Sequence, residues 1–304
     1  MSEKIALIFP GQGSQKVGMG LPLCKSIPLA KDTFDEADEI LGRSISDICF
    51  EGPLQELTKT ENAQLAIFTN SVANFRVAQT RGIIPTAVAG HSLGEYPALV
   101  AAGVISFSDG LRLVEQRSSL MSIAEKEEPG MMAAILGLDN AEVEEICRAV
   151  SISSGQIAQV ANYNCPGQLI VSGSVSGVQG VVKKAKLSGA KRALPLKVSG
   201  AFHSNLMEPA RVEFSKRVGD FHFSDPQVGL VVNVTGDWAK TGKQIQQLLV
   251  EQITKPVLWE SCLQTLYSHG ISSFVEVGDS NVLAGLVTRT LNNATCTNIS
   301  TLLN

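Results

Sequence analysis

The stretch from Pro85 to Ala102 constrains the fold more tightly than any other part of the chain. Thr86-Ala87-Val88-Ala89 is a short apolar run with the length of a buried strand. Pro97 to Ala102 favours a helix, and Pro97 is tolerated there only in the first turns. Gly90-His91-Ser92-Leu93-Gly94 joins the two. In a nucleophile elbow, Gly-x-Ser-x-Gly lets strand and helix pass close to a strained serine. The hydroxyl then stands at a helix N-terminus, where amide N–H groups favour developing negative charge. The five residues alone also suit an ordinary glycine-rich turn. Their position between a strand and a helix is what favours the elbow.

The rest of the chain alternates strands with helices, which predicts an α/β protein with a parallel sheet. A first strand is expected over 4–9, ending in Gly11-Gln12-Gly13-Ser14-Gln15. That loop is neither a P-loop, since no Gly-Lys-Ser/Thr follows, nor a dinucleotide fingerprint, since Lys16 stands where the third Gly belongs. It reads as a close approach of backbone to the cleft. Helices are predicted over 29–41 and 62–81, the second with Leu65, Phe68, Val72, Phe75 and Ala78 near helical spacing. Ser106 to Asp109 offers caps for another helix. On it Leu113, Val114, Leu120, Met121 and Ala124 share a face with Arg117 in its middle, while Arg112 and Ser119 point away.

Glu127-Glu128-Pro129-Gly130 reads as a boundary. Beyond it, strands at 131–138, 157–162, 168–172 and 192–198 alternate with helices at 142–150 and 175–187. The order β-α-β-β-α-β is the ferredoxin-like pattern. It predicts a small domain over 128–198, inserted into a larger one made of 1–127 and 199–304. The larger domain is expected to continue with a strand at 228–234, helices at 243–254 and 259–269, a last strand at 273–277, and a final helix opened by Gly278-Asp279-Ser280.

Composition narrows the function classes. The formal net charge of −4 argues against nucleic acid as the main partner. Two Trp and three Tyr are too few for a base-stacking platform. The apolar run Ile5 to Phe9 is too short for a signal peptide, and no uninterrupted apolar run approaches the roughly 18 residues of a membrane span. A cytoplasmic location without a membrane partner is therefore expected. The six cysteines form no Cys-x-x-Cys pair and have no His at ligand spacing, which predicts reduced thiols and no metal site.

A serine nucleophile needs a base, most often His. Of the four histidines, His91 adjoins Ser92 with its side chain expected to point away. His222 alternates with Phe221 and Phe223 in a strand-like edge segment. His269 precedes Gly270 at a helix end, where an imidazole often acts as a cap. His203 follows the small residues Ser199-Gly200-Ala201, which permit a tight loop, and is the first choice. No Asp lies between Asp139 and His203, so this choice implies a Ser–His dyad whose imidazole is held by a carbonyl or amide. With His269 as base, Asp237 would instead complete a hydrolase-type triad. Arg117 has two readings: a stem buried with its head reaching water, or a guanidinium aimed inward that needs an anion such as a substrate carboxylate.

Phe9-Pro10-Gly11-Gln12-Gly13-Ser14-Gln15, Gly90-His91-Ser92-Leu93-Gly94-Glu95-Tyr96, Arg117, Asn162, Gly200-Ala201-Phe202-His203-Ser204 and Gln252 together resemble the malonyl-CoA:acyl carrier protein transacylases. The resemblance runs from the first strand almost to the last helix. It implies an α/β-hydrolase-like large domain around the ferredoxin-like insert. It implies Ser92 as the acylated nucleophile, His203 as its base, and backbone N–H groups of Gln12 and Leu93 as the oxyanion hole. Arg117 would hold the malonyl carboxylate. Gln252 would lie in the site, with a backbone carbonyl nearby to orient the histidine, and Asn162 would line the cleft. His91 and Phe202 complete the substrate-binding set, Phe202 resembling malonyl-selective members. Two turns depart from the family pattern: Gly278-Asp279-Ser280 where Gly-Pro-Gly is usual, and Cys165 before Pro166.

The partners so implied are malonyl-CoA and acyl carrier protein, with transfer feeding fatty-acid synthesis and the chain acting as a monomer. No cofactor is implied beyond the CoA thioester as substrate and the phosphopantetheine on the carrier. The alternatives are an acyltransferase of polyketide synthesis, and a serine hydrolase or thioesterase in which water takes the acyl group. Carriers of this kind are acidic, so the basic run Lys183, Lys184, Lys186, Lys191 and Arg192 would steer them. A plain solvated face fits the same residues.

Overall fold

The computed structural model describes residues 4–198 and 200–303. Ser199, where the larger domain is expected to resume, lies outside the described residues. Among the described residues there are ten strands: β1 (Ile5–Phe9), β2 (Ala87–Gly90), β3 (Gly130–Leu136), β4 (Ala158–Cys165), β5 (Gln168–Ser174), β6 (Arg192–Pro195), β7 (Gly229–Val232), β8 (Asp237–Trp238), β9 (Ser273–Glu276) and β10 (Thr295–Asn298). Six of them form a sheet in the order β10-β9-β1-β2-β7-β8. Every pairing in it is parallel except the short β7–β8 hairpin. The other four form an antiparallel sheet in the order β4-β5-β3-β6. With the helices Asn140–Ser154 and Val175–Leu187 between its strands, that is the ferredoxin-like arrangement.

A parallel sheet buried on both faces needs apolar residues at every position of its central strands, divided between two cores by the two-residue period. β1 shows this division: Leu7 and Phe9 join the larger core, while Ala6 and Ile8 face the other. Ala6, Ala87 and Ala89 pack in one cluster with Trp259, so small side chains on the strands accommodate the large indole. A third core fills the space between the antiparallel sheet and its helices, around Ile135, Val160, Val171 and Val178.

The Thr60–Thr80 helix is buried nearly all round, as a helix at the centre of a large core must be. It carries polar residues inward too, among them Gln64, Asn70 and Ser71. The Phe107–Glu127 helix is capped by Ser106, whose Oγ accepts from the Asp109 amide at 3.0 Å. Its Leu113, Val114, Leu120, Met121 and Ala124 are buried, while Arg112 and Ser119 are exposed, as their spacing predicts.

Two expectations need correction. The strand at 273–276 is not the last, because β10 pairs beside β9 and a short helix, Ile299–Leu303, follows it. β10 is an edge strand of sequence Thr-Cys-Thr-Asn with alternate residues exposed, so it carries little apolar signal. The segment at Phe221–Phe223 is not a strand, and His222 is exposed there. At the departing turn, Asp279 Oδ2 accepts from the Gly20 amide at 2.8 Å and from Asn70 Nδ2 at 3.3 Å. The unusual acid thus ties the turn to the central helix and to the N-terminal segment.

Candidate active site

β2 ends at Gly90, and one tight turn over Ser92–Gly94 leads into the helix Glu95–Ala101. Ser92 has φ +54°, in the left-handed region that a non-glycine residue enters at a cost. The two glycines make the turn possible by close approach. A Cβ on Gly90 would lie 1.8 Å from the Gly94 carbonyl oxygen, and one on Gly94 would lie 2.0 Å from that of Phe9. Asn233, just beyond β7, holds both sides of the turn. Its Oδ1 accepts from the Ser92 amide at 2.7 Å, and its Nδ2 donates to the Gly90 carbonyl at 2.6 Å.

His203 also has positive φ, +56°, and is buried. Its Nε2 lies 2.7 Å from Ser92 Oγ, and its Nδ1 lies 2.7 Å from the backbone oxygen of Gln252. A carbonyl can only accept, so Nδ1 carries the proton and the Nε2 lone pair faces the serine. Burial, and next the Arg117 charge, push the imidazole down to about 3, so it is neutral at physiological pH. A neutral imidazole with its free lone pair on a serine hydroxyl can take the hydroxyl proton.

The other histidines do not reach the serine. His269 ends the Trp259–Ser268 helix, and its Nδ1 lies 2.8 Å from the Thr265 carbonyl, as a helix-end imidazole would. The triad with Asp237 is therefore not assembled. His91 lines the same cleft as Ser92, but its Nε2 is engaged with Asn164 Oδ1 at 2.9 Å and its ring meets the edge of Trp259.

Arg117 is 1% exposed, so its head does not reach water. Its Nη1 donates to Gln64 Oε1 at 2.6 Å, and its Nη2 to Gln252 Oε1 at 3.0 Å and Ser92 Oγ at 3.3 Å. Among the described residues it forms no ion pair, and its Nε has no hydrogen-bond partner. A buried cation held by two neutral amides and a hydroxyl lacks a direct counter-charge, which an anion in the cleft would supply.

These groups open into a cleft of about 260 Å³ between the two sheets. Gln12, Leu93 and Phe202 line it from the larger layer, and Asn162 and Met132 from the smaller. Among the described residues, neither the Gln12 nor the Leu93 amide has an acceptor, so both are available to an oxyanion. A Cβ on Gly200 would lie 2.4 Å from the Phe202 ring, so the glycine is what lets that ring take its place. The smaller sheet is also bonded to the larger layer near the site. The edge of β4 pairs with the segment after Gln252: the Tyr163 amide donates to the Val257 carbonyl and the Val257 amide to that of Ala161, both at 2.9 Å.

Sequence reasoning missed Asn233, Gln64 and Asn164 as members of the site. Asn233 was readable as a polar residue at the carboxyl end of a buried parallel strand, the edge where such sheets place their sites. Gln64 carried a weaker signal, a polar residue on the apolar face of a helix.

A serine on a strand–helix elbow, a neutral histidine on its hydroxyl and a buried guanidinium beside both are the equipment of an acyl-transfer enzyme. Residues 6–303 match the acyl transferase domain family. The chain is 44% identical to the malonyl CoA-acyl carrier protein transacylase of Bacillus subtilis over 93% of its length and 89% of the relative's. It is 41% identical to that of Escherichia coli strain K12 over 96% of its length and 94% of the relative's. The solved malonyl CoA-acyl carrier protein transacylase of Coxiella burnetii superposes with a TM-score of 0.96 at 35% identity, over 99% of this chain and 95% of that one. A malonyl-transacylase solved in complex with its type II PKS acyl-carrier protein superposes with a TM-score of 0.94 at 39% identity, over 97% and 96%. The chain belongs to the malonyl CoA-acyl carrier protein transacylase family.

Proposed function

We propose that this enzyme moves the malonyl group from malonyl-CoA to the phosphopantetheine thiol of acyl carrier protein through a malonyl-Ser92 intermediate, supplying fatty-acid synthesis. The observation that carries the reading is Arg117. Its guanidinium is buried without an ionic partner among the described residues and touches the serine hydroxyl. In malonyl the free carboxylate lies one methylene from the acyl carbon. An acyl group on Ser92 would therefore bring that carboxylate to Arg117, whose fork can hold it by two hydrogen bonds. An acetyl group brings no carboxylate to the guanidinium.

The steps follow from the protonation state. Ser92 gives its proton to His203 Nε2 as Oγ attacks the thioester carbonyl. The imidazolium so formed is stabilised through Nδ1–H on the Gln252 carbonyl. The Gln12 and Leu93 amides receive the oxyanion. The carbonyl re-forms, and the CoA thiolate leaves with the proton from His203. The carrier's thiol then gives His203 its proton and attacks malonyl-serine; the carbonyl re-forms on the carrier's sulfur, and Ser92 Oγ leaves with the proton from His203. His91, Asn162 and Phe202 shape the acyl pocket. The chemistry needs no group beyond the two thioester carriers. A polyketide carrier in place of a fatty-acid carrier would use the same steps.

Intact-mass spectrometry tests the reading. Mixed with malonyl-CoA, the enzyme gains the mass of one malonyl group and loses it when carrier protein bearing phosphopantetheine is added. Ser92→Ala gains none. An adduct that persists in Ser92→Ala would overturn the assignment, and an adduct lost in water alone as fast as with carrier would make the protein a hydrolase.

A further inference from the structure

Glu95 opens the helix that follows Ser92, and it is completely buried. Its Oε2 accepts from the Asn233 amide at 2.9 Å and from Gln252 Nε2 at 3.1 Å. Its Oε1 has no hydrogen-bond partner among the described residues. The other end of the same Gln252 amide accepts from Arg117. One carboxamide therefore separates a buried carboxylate from a buried guanidinium, and each has one polar atom left unsatisfied. With Arg117 charged, Glu95 is the group that can balance it.

A malonyl carboxylate disturbs this balance. Placed on Arg117 it puts two anions beside one cation, with both protein groups buried, an arrangement that drives one carboxylate to take a proton. The substrate's carboxylate makes the direct, two-pronged contact, whereas Glu95 reaches Arg117 only through Gln252. We propose that Glu95 is a further specificity-determining residue: it is the resident counter-ion of Arg117, is displaced from that role by the substrate's carboxylate, and takes up one proton when it is displaced. The proposal rests on the reading of Arg117 given above.

The surrounding groups leave Glu95 as the one that responds. Tyr96 on its own helix and Cys262 on the Trp259–Ser268 helix are both pushed up by burial and stay neutral. His203, beyond Gln252, is held low by burial and by Arg117, and is neutral before the substrate arrives. Glu95 is raised to about 7 by burial, against the pull of Asn233, Gln252 and Arg117, so its charge changes hands near neutral pH.

The test is binding without turnover, using the full chain carrying Ser92→Ala and calorimetric titration in buffers of different ionisation enthalpy. At pH 8 malonyl-CoA should take up close to one proton more than acetyl-CoA, whose CoA portion is the same. Proton uptake favours binding at low pH, so above pH 7 the affinity for malonyl-CoA relative to acetyl-CoA should fall about tenfold per unit of pH. Adding Glu95→Gln should abolish both the excess proton and the slope. Should Glu95→Gln fail to fold, the pH slope in the Ser92→Ala protein decides. A preference for malonyl-CoA that is flat with pH and carries no excess proton overturns the role of Glu95 and leaves that of Arg117 standing. No preference for malonyl-CoA at any pH overturns the Arg117 reading itself.

Discussion

Single side chains in this site are defined by what they lack. Arg117 has amides for neighbours where a buried guanidinium would normally find a carboxylate, and the expected consequence is a ratio more than a rate. Losing a charge-assisted pair of this kind costs about 2–5 kcal/mol. Arg117→Ala should therefore lower kcat/KM for malonyl-CoA by roughly 30-fold to several thousand-fold. Acetyl-CoA, with no carboxylate to lose, should react no more slowly. Steady-state rates with both donors check this, and equal losses would make Arg117 a structural residue. His203 carries a second expectation. A histidine at its ordinary value near 6.5 would lose its basic form as the pH falls through that point. One held down to about 3 keeps it, so acylation by acetyl-CoA should stay flat from pH 8 down to pH 5. Stopped-flow acylation across that range would show an acid limb near 6.5 if the imidazole were unperturbed. Ser92 was legible as the centre of a glycine-flanked turn between strand and helix, and Arg117 as a cation on an apolar helix face, whereas His203 was a choice among four histidines guided by the small residues before it. A carbonyl near Gln252 was expected only through the resemblance; no local pattern marks it, because every residue has one, and the turn after the Gly242–Gln252 helix is what presents that of Gln252 to the imidazole.

At the scale of elements, the elbow is a packing problem between two backbones. A methyl group on Gly94 would overlap the Phe9 carbonyl of the neighbouring strand, and neither chain can withdraw without moving Ser92. Gly94→Ala should cost about 3 kcal/mol or more. Gly82→Ala is the contrast: φ is +75° there but nothing lies within 4 Å of the added methyl, so the cost should be about 1–2 kcal/mol from the backbone alone. Denaturant midpoints of the two variants compare them directly. The central strands and long helices were legible because burial on one or two faces writes a period into the sequence. β10, the two-residue β8 and the Glu208–Arg217 helix were not. The first two are edge pieces, β10 with little apolar content and β8 too short for a period, and the helix buries only Ala210 and Phe214, too few to show a stripe.

The whole molecule places its site in the space between two sheets, and its basic run lies on the smaller of the two layers. Lys183, Lys184, Lys186, Lys191 and Arg192 are all exposed. If the run steers an acidic carrier, reversing three of these charges should raise the carrier's KM several-fold at low salt, shrink in effect as salt is added, and leave malonyl-CoA kinetics unchanged. A carrier KM that does not move would return the run to a solvated face. The division into two sheets was readable from the order of the strands, but the seam between them was not, since contacts between distant segments leave no periodic mark. That seam has a consequence for how such enzymes can be recombined. The strand edge at Ala161–Tyr163 is bonded to the backbone of Val257, on the segment that follows Gln252, whose carbonyl meets His203. The smaller layer is therefore not a cassette. A chimaera carrying a relative's version of it would inherit new acyl-pocket walls only if those three backbone positions met Val257 in the same register; shifted by one residue, it would carry every residue named in the mechanism and still mis-aim its base.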